Sequence, residues 1–184
     1  MAVGQLSLGI PGASPTTFAT SPLPAVVLFR SPADSPLASR SPLGYAEVVG
    51  KSQWGVSQVA GAQTIVTYSW AVAAMMTKAE AQRLTKLANW QDWGYKGITN
   101  TGAPAAKQAR PMRLIDEIEE LDGEPSPHSR TLLTPLTDPD NAAWVYGYGV
   151  FNVKIQLPQD WRQQVGVWAS GAEARLCTFS LVEL

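Results

Sequence analysis

A strand that runs directly into a helix, over residues 62–93, constrains the fold of this chain more than any other feature. In the first half of this stretch, Val66, Tyr68, Trp70 and Val72 fall on one face, and Thr67 and Ser69 fall on the other. A period of two is typical of a strand with one buried face. The other segments are typical of strands and turns, so the sequence predicts one helix packed on a sheet.

The predicted helix spans residues 77–91. Thr77 and Glu80 have the spacing of a capping box, which makes Thr77 the expected N-cap. Gly94 is the expected stop signal. The apolar stripe of the helix is narrow, so we expect only one side of the helix to contact the sheet. This stripe consists of Leu84, Leu87 and Ala88.

Strands are predicted for most of the remaining chain. Residues 110–121 fit a helical period equally well, but Pro111 and the surrounding strands favour a strand there. Gly147 and Gly149 suggest a bulge in the longest strand. The predicted fold class is mainly β: a β-sandwich or small β-barrel with one packed α-helix and an extended N-terminal arm. The other predicted strands are 25–29, 43–49, 54–60, 64–72, 131–136, 144–157 and 174–184.

Residues 1–44 are predicted to form an extended Pro/Ser-rich arm ahead of a single domain at 45–184. Seven of the fourteen prolines lie within residues 1–42, and no charged side chain precedes Arg30. Proline restricts its own backbone and that of the preceding residue, which favours extended conformations. We expect this apolar segment to lie along an apolar surface, either of its own chain or of a neighbouring copy. A chain lacking residues 1–42 is expected to assemble less well but to keep a folded core.

The composition indicates a surface that neighbouring molecules cover. Charged residues make up only 16% of the 184 residues, against about 25% in typical soluble domains. Aromatic residues are enriched in interface cores, although any single tryptophan is equally expected to fill a β core. A net charge of −1 without a basic stretch argues against nucleic-acid binding. No apolar run reaches the roughly 20 residues of a membrane span, and no signal peptide is recognisable, so synthesis in a cytoplasm is expected.

No catalytic, cofactor-binding or metal-binding residue is predicted, and the chain is not expected to be an enzyme. A Ser-His-Asp arrangement would have to use His128, because the sequence contains no other histidine. His128 lies among turn residues and is expected to be exposed. With one histidine and one cysteine, a tetrahedral zinc site is nearly excluded. Cys177 lies within a predicted strand, where a free cysteine behaves as a small hydrophobic residue.

Six of the fifteen carboxylates fall within residues 116–124. Two carboxylates in a cleft would suit glycoside hydrolysis, and several together would suit Ca²⁺, although the EF-hand spacing is missing. A solvated acidic edge or a patch facing a basic partner is the more ordinary interpretation, and Arg110 and Arg113 lie close enough in sequence to satisfy part of it. The six residues are Asp116, Glu117, Glu119, Glu120, Asp122 and Glu124.

Exposed tryptophans are a further candidate site, because a flat aromatic ring can stack on the face of a sugar. A carbohydrate-binding module would present such rings along a shallow groove and would be a monomer in solution. Their spacing in the sequence does not distinguish this arrangement from core packing. The candidates are Trp54, Trp70, Trp90, Trp93, Trp144, Trp161 and Trp168.

Three features occur in order from Gln63 onward: an aromatic strand ending in Tyr68-Ser69-Trp70, a helix opening at 76–84 and ending near Trp90, and a terminal strand at 175–183. In this order of elements the chain resembles tail-tip and baseplate ring proteins of tailed bacteriophages, of the distal-tail or tail-tube kind. The resemblance covers roughly two thirds of the chain. The Pro/Ser-rich arm departs from the family's pattern.

The resemblance implies a non-catalytic virion structural protein, assembled in the host cytoplasm, that acts as a tube or adaptor in a phage tail or baseplate. Its expected partners are copies of itself in a ring, commonly hexameric, and other tail or baseplate proteins. A phage neck, connector or head decoration protein is an alternative of the same kind. A carbohydrate-binding β-sandwich module and a carboxylate hydrolase are alternatives from other classes.

Overall fold

The structure is a computed structural model, and its architecture is mainly β with a single helix among the residues that it describes. These residues are 5–28, 36–43, 47–51, 57–61, 67–122, 131–137, 145–168 and 170–184. The helix, α1, spans Lys78–Lys96. The strands are β1 (Leu6–Gly9), β2 (Val26–Leu28), β3 (Ala38–Leu43), β4 (Glu47–Lys51), β5 (Ser57–Gly61), β6 (Thr67–Thr77), β7 (Met112–Asp122), β8 (Thr131–Thr137), β9 (Val145–Gln156), β10 (Arg162–Val167) and β11 (Glu173–Glu183).

Nine strands form one antiparallel sheet, and β4 and β5 form a separate hairpin. The main path through the sheet is β2-β1-β7-β9-β11-β6-β3. β10 follows β9 in line along β11, and β8 pairs with β9 beyond the end of β11. The prediction of a mainly β fold with one packed helix is confirmed. The sheet is open, so the barrel among the predicted architectures is not formed.

The core lies between one face of this sheet and α1. The helix contacts β6, β9 and β11, and Leu84 and Leu87 of its predicted stripe are fully buried. On β6 the predicted alternation is present, since Trp70 and Val72 are buried while the intervening Ala71 is exposed. Burial of each large apolar side chain stabilises the fold by roughly 1.5–3 kcal/mol, so these alternating positions hold the helix on the sheet.

The helix begins as predicted and ends later than predicted. Thr77 Oγ1 accepts a hydrogen bond from Glu80 N, and Glu80 Oε2 accepts one from Thr77 N, which completes the capping box. Gly94 does not stop the helix, which continues to Lys96 and ends at Gly97 with a φ of 68°. A β-carbon on Gly94 would lie 2.6 Å from the carbonyl oxygen of Gln108. Gly94 is therefore needed for close packing of the following loop and not for termination.

For residues 110–121 a helix was the alternative; β7 (Met112–Asp122) occupies all but the first two of them, and the prediction of a strand is confirmed. The irregularity suggested by Gly147 and Gly149 of β9 lies in the strands beside them. The register of β7 shifts between Asp116 and Glu120, and that of β8 shifts nearby. Small residues on β9 thus lie opposite bulges in both neighbours.

The segment predicted to be an arm contributes three strands to the sheet. β1 pairs with both β7 and β2, and Leu6 and Leu8 are fully buried between them. β3 pairs along its length with β6, so described strands on both sides of residue 44 belong to one sheet. The segment packs against the sheet of its own chain, which is one of the two placements that the sequence left open. Pairing of β1 and β3 was not predicted from the sequence.

The side chain of Gln91 joins the helix to an edge of β9. Its Nε2 donates to the carbonyl oxygens of Val153 at 2.9 Å and Arg110 at 3.0 Å. Its Oε1 accepts from Ile155 N at 2.8 Å. The pairing of β7 with β9 stops at Met112 and Val153, so the Gln91 amide takes the place of a neighbouring strand. Only 1% of Gln91 is exposed, and water cannot replace these bonds.

We expect Gln91→Leu to lower the free energy of unfolding by about 2–4 kcal/mol, since it leaves buried backbone groups without partners. Urea denaturation monitored by circular dichroism measures this loss. Gln82→Leu, at an exposed position of the same helix, is the matched control and should change stability by less than about 0.5 kcal/mol. Equal stability of the two variants would contradict the role assigned to Gln91.

Candidate functional site

Asp116, the first residue of the predicted acidic cluster, is buried within the core. Its side chain is 1% exposed and accepts from Trp70 Nε1 at 2.8 Å, with Arg40 at 3.4 Å. Its other oxygen accepts from Ile118 N at 2.9 Å, across the bulge of β7. A carboxylate with this set of donors stabilises the fold and offers no free face to a substrate.

The remaining acidic residues do not join Asp116 in a described site. Glu117 is half-buried, and its backbone N–H donates to Gln5 of the N-terminal segment. The backbone of β7 includes Glu119, Glu120 and Asp122, while Glu124 lies outside the described residues. Among the residues that the structure describes, no group of three His, Cys, Asp or Glu side chains could hold a metal ion.

The two arginines expected to satisfy the acidic cluster bind main-chain carbonyl groups elsewhere. Arg113 donates to carbonyl oxygens of the N-terminal segment, including that of Thr17 at 2.7 Å. Burial lowers the pKa of this guanidinium from its usual value. Hydrogen bonds to three carbonyl oxygens stabilise its charged form. Arg110 donates to the carbonyl oxygen of Trp90 at 3.0 Å. The sequence suggested that these arginines pair with carboxylates, whereas in the structure both donate hydrogen bonds to main-chain carbonyl oxygens.

Besides Gln91, the sequence analysis missed two further polar side chains that contact the core, those of Glu183 and Arg40. Glu183 is 5% exposed and accepts from Tyr68 N at 2.9 Å. Arg40 lies over the Tyr68 ring, 5.1 Å from its centroid. Glu183 follows Phe179 and Leu181 with a period of two, and this alternation was the signal in the sequence from which its burial could have been predicted. No comparable signal marks Arg40, because β3 was not predicted.

Cys177 is buried on β11 and free, as expected for a small hydrophobic residue. Burial raises the pKa of its thiol to about 11, from a usual value of 9.0. The neutral thiol is the form that the fold favours, so its contribution to stability is complete below about pH 9 and is lost as the pH rises toward 11. His128 lies outside the described residues.

Strand β10 presents an exposed edge of the sheet. Within the described chain it pairs only with β11, and all six of its residues are exposed. Val165 is 52% exposed and has no partner on β11, because the register shifts between Gln164 and Gly166. Val167 is 63% exposed. A strand edge that has no neighbour in the described chain and carries exposed valines is suited to accept another strand.

The other strands with a single neighbour in this sheet are less suited to pairing. β3 contains Pro42 and β8 contains Pro135, and proline cannot donate a hydrogen bond to an added strand. β2 has only three residues, and Arg83 already donates to the carbonyl oxygen of Ala25 beside it. β10 contains no proline. Apart from the bulge at Val165, it therefore presents fewer obstacles to strand addition than β2, β3 and β8.

The tryptophans with described side chains separate into core residues and residues that line a groove. Trp70 and Trp161 are buried, and Trp168 is half-buried. Trp54 and Trp144 lie outside the residues with described side chains. A groove of about 540 Å³, which we call the tryptophan groove, has the two others in its wall. It is lined by Pro22, Leu23, Lys86, Asn89, Trp90, Trp93, Thr99, Asn100 and Arg110.

The one helix of the described chain is not apolar enough to cross a membrane. Comparisons with protein-family models, with curated proteins and with solved structures give no match to this chain.

Proposed function

We propose that this protein is a non-catalytic structural protein whose copies assemble by adding a strand to the exposed edge of β10. The observation that carries the proposal is a six-residue edge with one neighbouring strand and two exposed valines. Strand addition supplies main-chain hydrogen bonds for affinity, and burial of alternate side chains supplies specificity. Val165 and Val167 are the side chains that a neighbouring copy would cover.

A ring follows from this mode of assembly when the donated strand comes from a different surface of the neighbour. Such head-to-tail contacts close into rings if the rotation between copies closes. A chain with 16% charged residues and a net charge of −1 brings little electrostatic repulsion to repeated contacts of this kind. These features support the ring, commonly hexameric, that the resemblance to phage tail-tip and baseplate proteins implies.

Within such a particle the protein would act as a tube or adaptor of a phage tail, with other tail or baseplate proteins as further partners. The proposed location is the virion, after assembly in the host cytoplasm. A neck, connector or head decoration protein would assemble through the same edge. The position along the particle is assigned by the resemblance alone.

The test is the oligomeric state of the full chain and of variants at the β10 edge, measured by sedimentation velocity and light scattering. Val165→Lys combined with Val167→Lys places two charges where the proposal buries valine, and natural sheets use lysine to block such edges. We expect the wild-type chain to form a ring. The double variant should assemble more weakly, with a dissociation constant at least about 100-fold higher, equivalent to about 2.7 kcal/mol per contact.

Val27→Lys is the matched control, because Val27 is an exposed valine on a different edge strand, β2. We expect it to assemble as the wild type does. Thermal unfolding of all variants checks that each one is folded. A wild-type chain that stays monomeric at hundreds of micromolar would contradict the proposal, and so would unchanged assembly of the double lysine variant.

A further inference from the structure

The tryptophan groove is formed by three parts of the chain that the fold holds together. Trp90 and Trp93 are one helical turn apart on α1. The other walls come from the segment after the helix and from the N-terminal segment: Thr99, Asn100, Arg110, Pro22 and Leu23. The volume of about 540 Å³ falls within the range of roughly 300–1,000 Å³ for small-molecule sites.

Hydrogen bonds fix the walls of this groove. The guanidinium of Arg110 lies over the Trp90 ring, 4.7 Å from its centroid, while its NH1 donates to the Trp90 carbonyl oxygen. The Arg110 backbone is held in turn by Gln91. The loop that precedes it is tied to the end of the helix by the bond from Gln108 N to Gly94 O at 2.9 Å. A site held in this way loses little conformational entropy when a ligand binds.

The side chains of the groove match a sugar that carries a negative charge. Aromatic rings present a negative face and attract the weakly positive C–H groups of a sugar ring. Asn89 and Asn100 offer amide groups that bind sugar hydroxyls, whereas the Thr99 hydroxyl is hydrogen-bonded within its own loop. Lys86 and Arg110 add two positive charges, and no lining residue is acidic. Lysine and arginine form strong, charge-assisted hydrogen bonds with carboxylate groups.

We propose that the tryptophan groove binds an acidic oligosaccharide, with Trp93 stacking on a sugar ring and Lys86 pairing with a sugar carboxylate. Trp93 is the better candidate for stacking because Arg110 covers Trp90, which also packs against the hydrophobic core. A proline-rich peptide also docks on aromatic-lined grooves. It would leave the two cations without matching charges, so the charge pattern favours the sugar.

Tetragalacturonate is the probe, and its methyl ester is the neutral form of the same sugar chain. Isothermal titration calorimetry with the full chain should detect binding of tetragalacturonate, at least about tenfold tighter than its ester. Trp93→Ala and Lys86→Gln should each weaken binding of the acid by about tenfold or more. Lys78→Gln, at an exposed site of the same helix outside the groove, should change it by less than about twofold.

Thermal unfolding of each variant accompanies the titrations, and Lys86→Gln decides the case if Trp93→Ala proves unstable. The proposal is overturned if the acid does not bind at 10 mM, if the ester binds equally well, or if a proline decapeptide binds in its place. Equal binding by Lys86→Gln and Lys78→Gln also overturns it. The assembly-blocking variant at Val165 and Val167 should bind tetragalacturonate as the wild type does, since β10 does not line the groove.

Discussion

A chain that lacks residues 1–28 is expected to be unfolded in dilute buffer. The deletion removes β1 and β2, and with them Leu6, Leu8, Val26 and Leu28, each of which is at most 3% exposed. It also uncovers β7, which pairs with β1 on one side. This expectation replaces the one drawn from the sequence, in which a chain without residues 1–42 kept its core.

The size of the effect follows from the four buried side chains. Truncation of a buried leucine to alanine costs about 2–5 kcal/mol, while the whole fold of a protein is stable by only about 5–15 kcal/mol. The double substitution Leu6→Ala with Leu8→Ala should therefore lower the free energy of unfolding by about 4–10 kcal/mol. Urea denaturation, followed by circular dichroism, measures this value without the deletion.

Val27→Ala is the matched control for these substitutions. Val27 lies between two of the buried residues on β2 but is 39% exposed, so we expect a loss of less than about 1 kcal/mol. A truncated chain that kept the near-ultraviolet circular dichroism and cooperative unfolding of the full chain would contradict the proposed role of the N-terminal segment.

Patterns in the sequence predicted those parts of the fold that depend on residues close to one another in the sequence. Thr77 and Glu80 lie three residues apart, so their capping box was visible in the sequence and is present in the structure. β1 was missed because it has four residues and its partner is distant, with Leu6 opposite Asp116. The seven prolines that follow Leu8 within residues 1–42 suggested an arm, although Leu6-Ser7-Leu8 already alternates as a strand does.

The candidate sites were predictable to a smaller extent, because they depend on tertiary contacts. The acidic run was visible, but the sequence did not show that its first member, Asp116, shares the buried face of β7 with Met112 and Leu114. The tryptophan groove needed the helix, the loop and the N-terminal segment together. The edge of β10 was missed because Arg162–Val167 has only two apolar side chains, too few for a strand pattern.

Asp116→Asn should be among the most destabilising single substitutions in the chain, because the Asp116 carboxylate accepts from three groups. Asparagine has the same shape but directs an N–H₂ group toward Trp70 Nε1 and Arg40, or loses the bond to Ile118 N after an amide flip. Removing one member of a buried ion pair costs about 3–5 kcal/mol. The side chain of Arg40 is only 9% exposed, so water compensates little of this loss.

Asp160→Asn is the matched control, since Asp160 is exposed in the turn before β10. Urea denaturation at neutral pH should show a loss of about 3–5 kcal/mol for Asp116→Asn and less than about 0.5 kcal/mol for the control. A catalytic carboxylate would behave differently, because active sites trade stability for function and their removal commonly stabilises the fold. Stability of Asp116→Asn equal to that of the control, or above that of the wild type, would therefore contradict a structural role and reopen the hydrolase alternative.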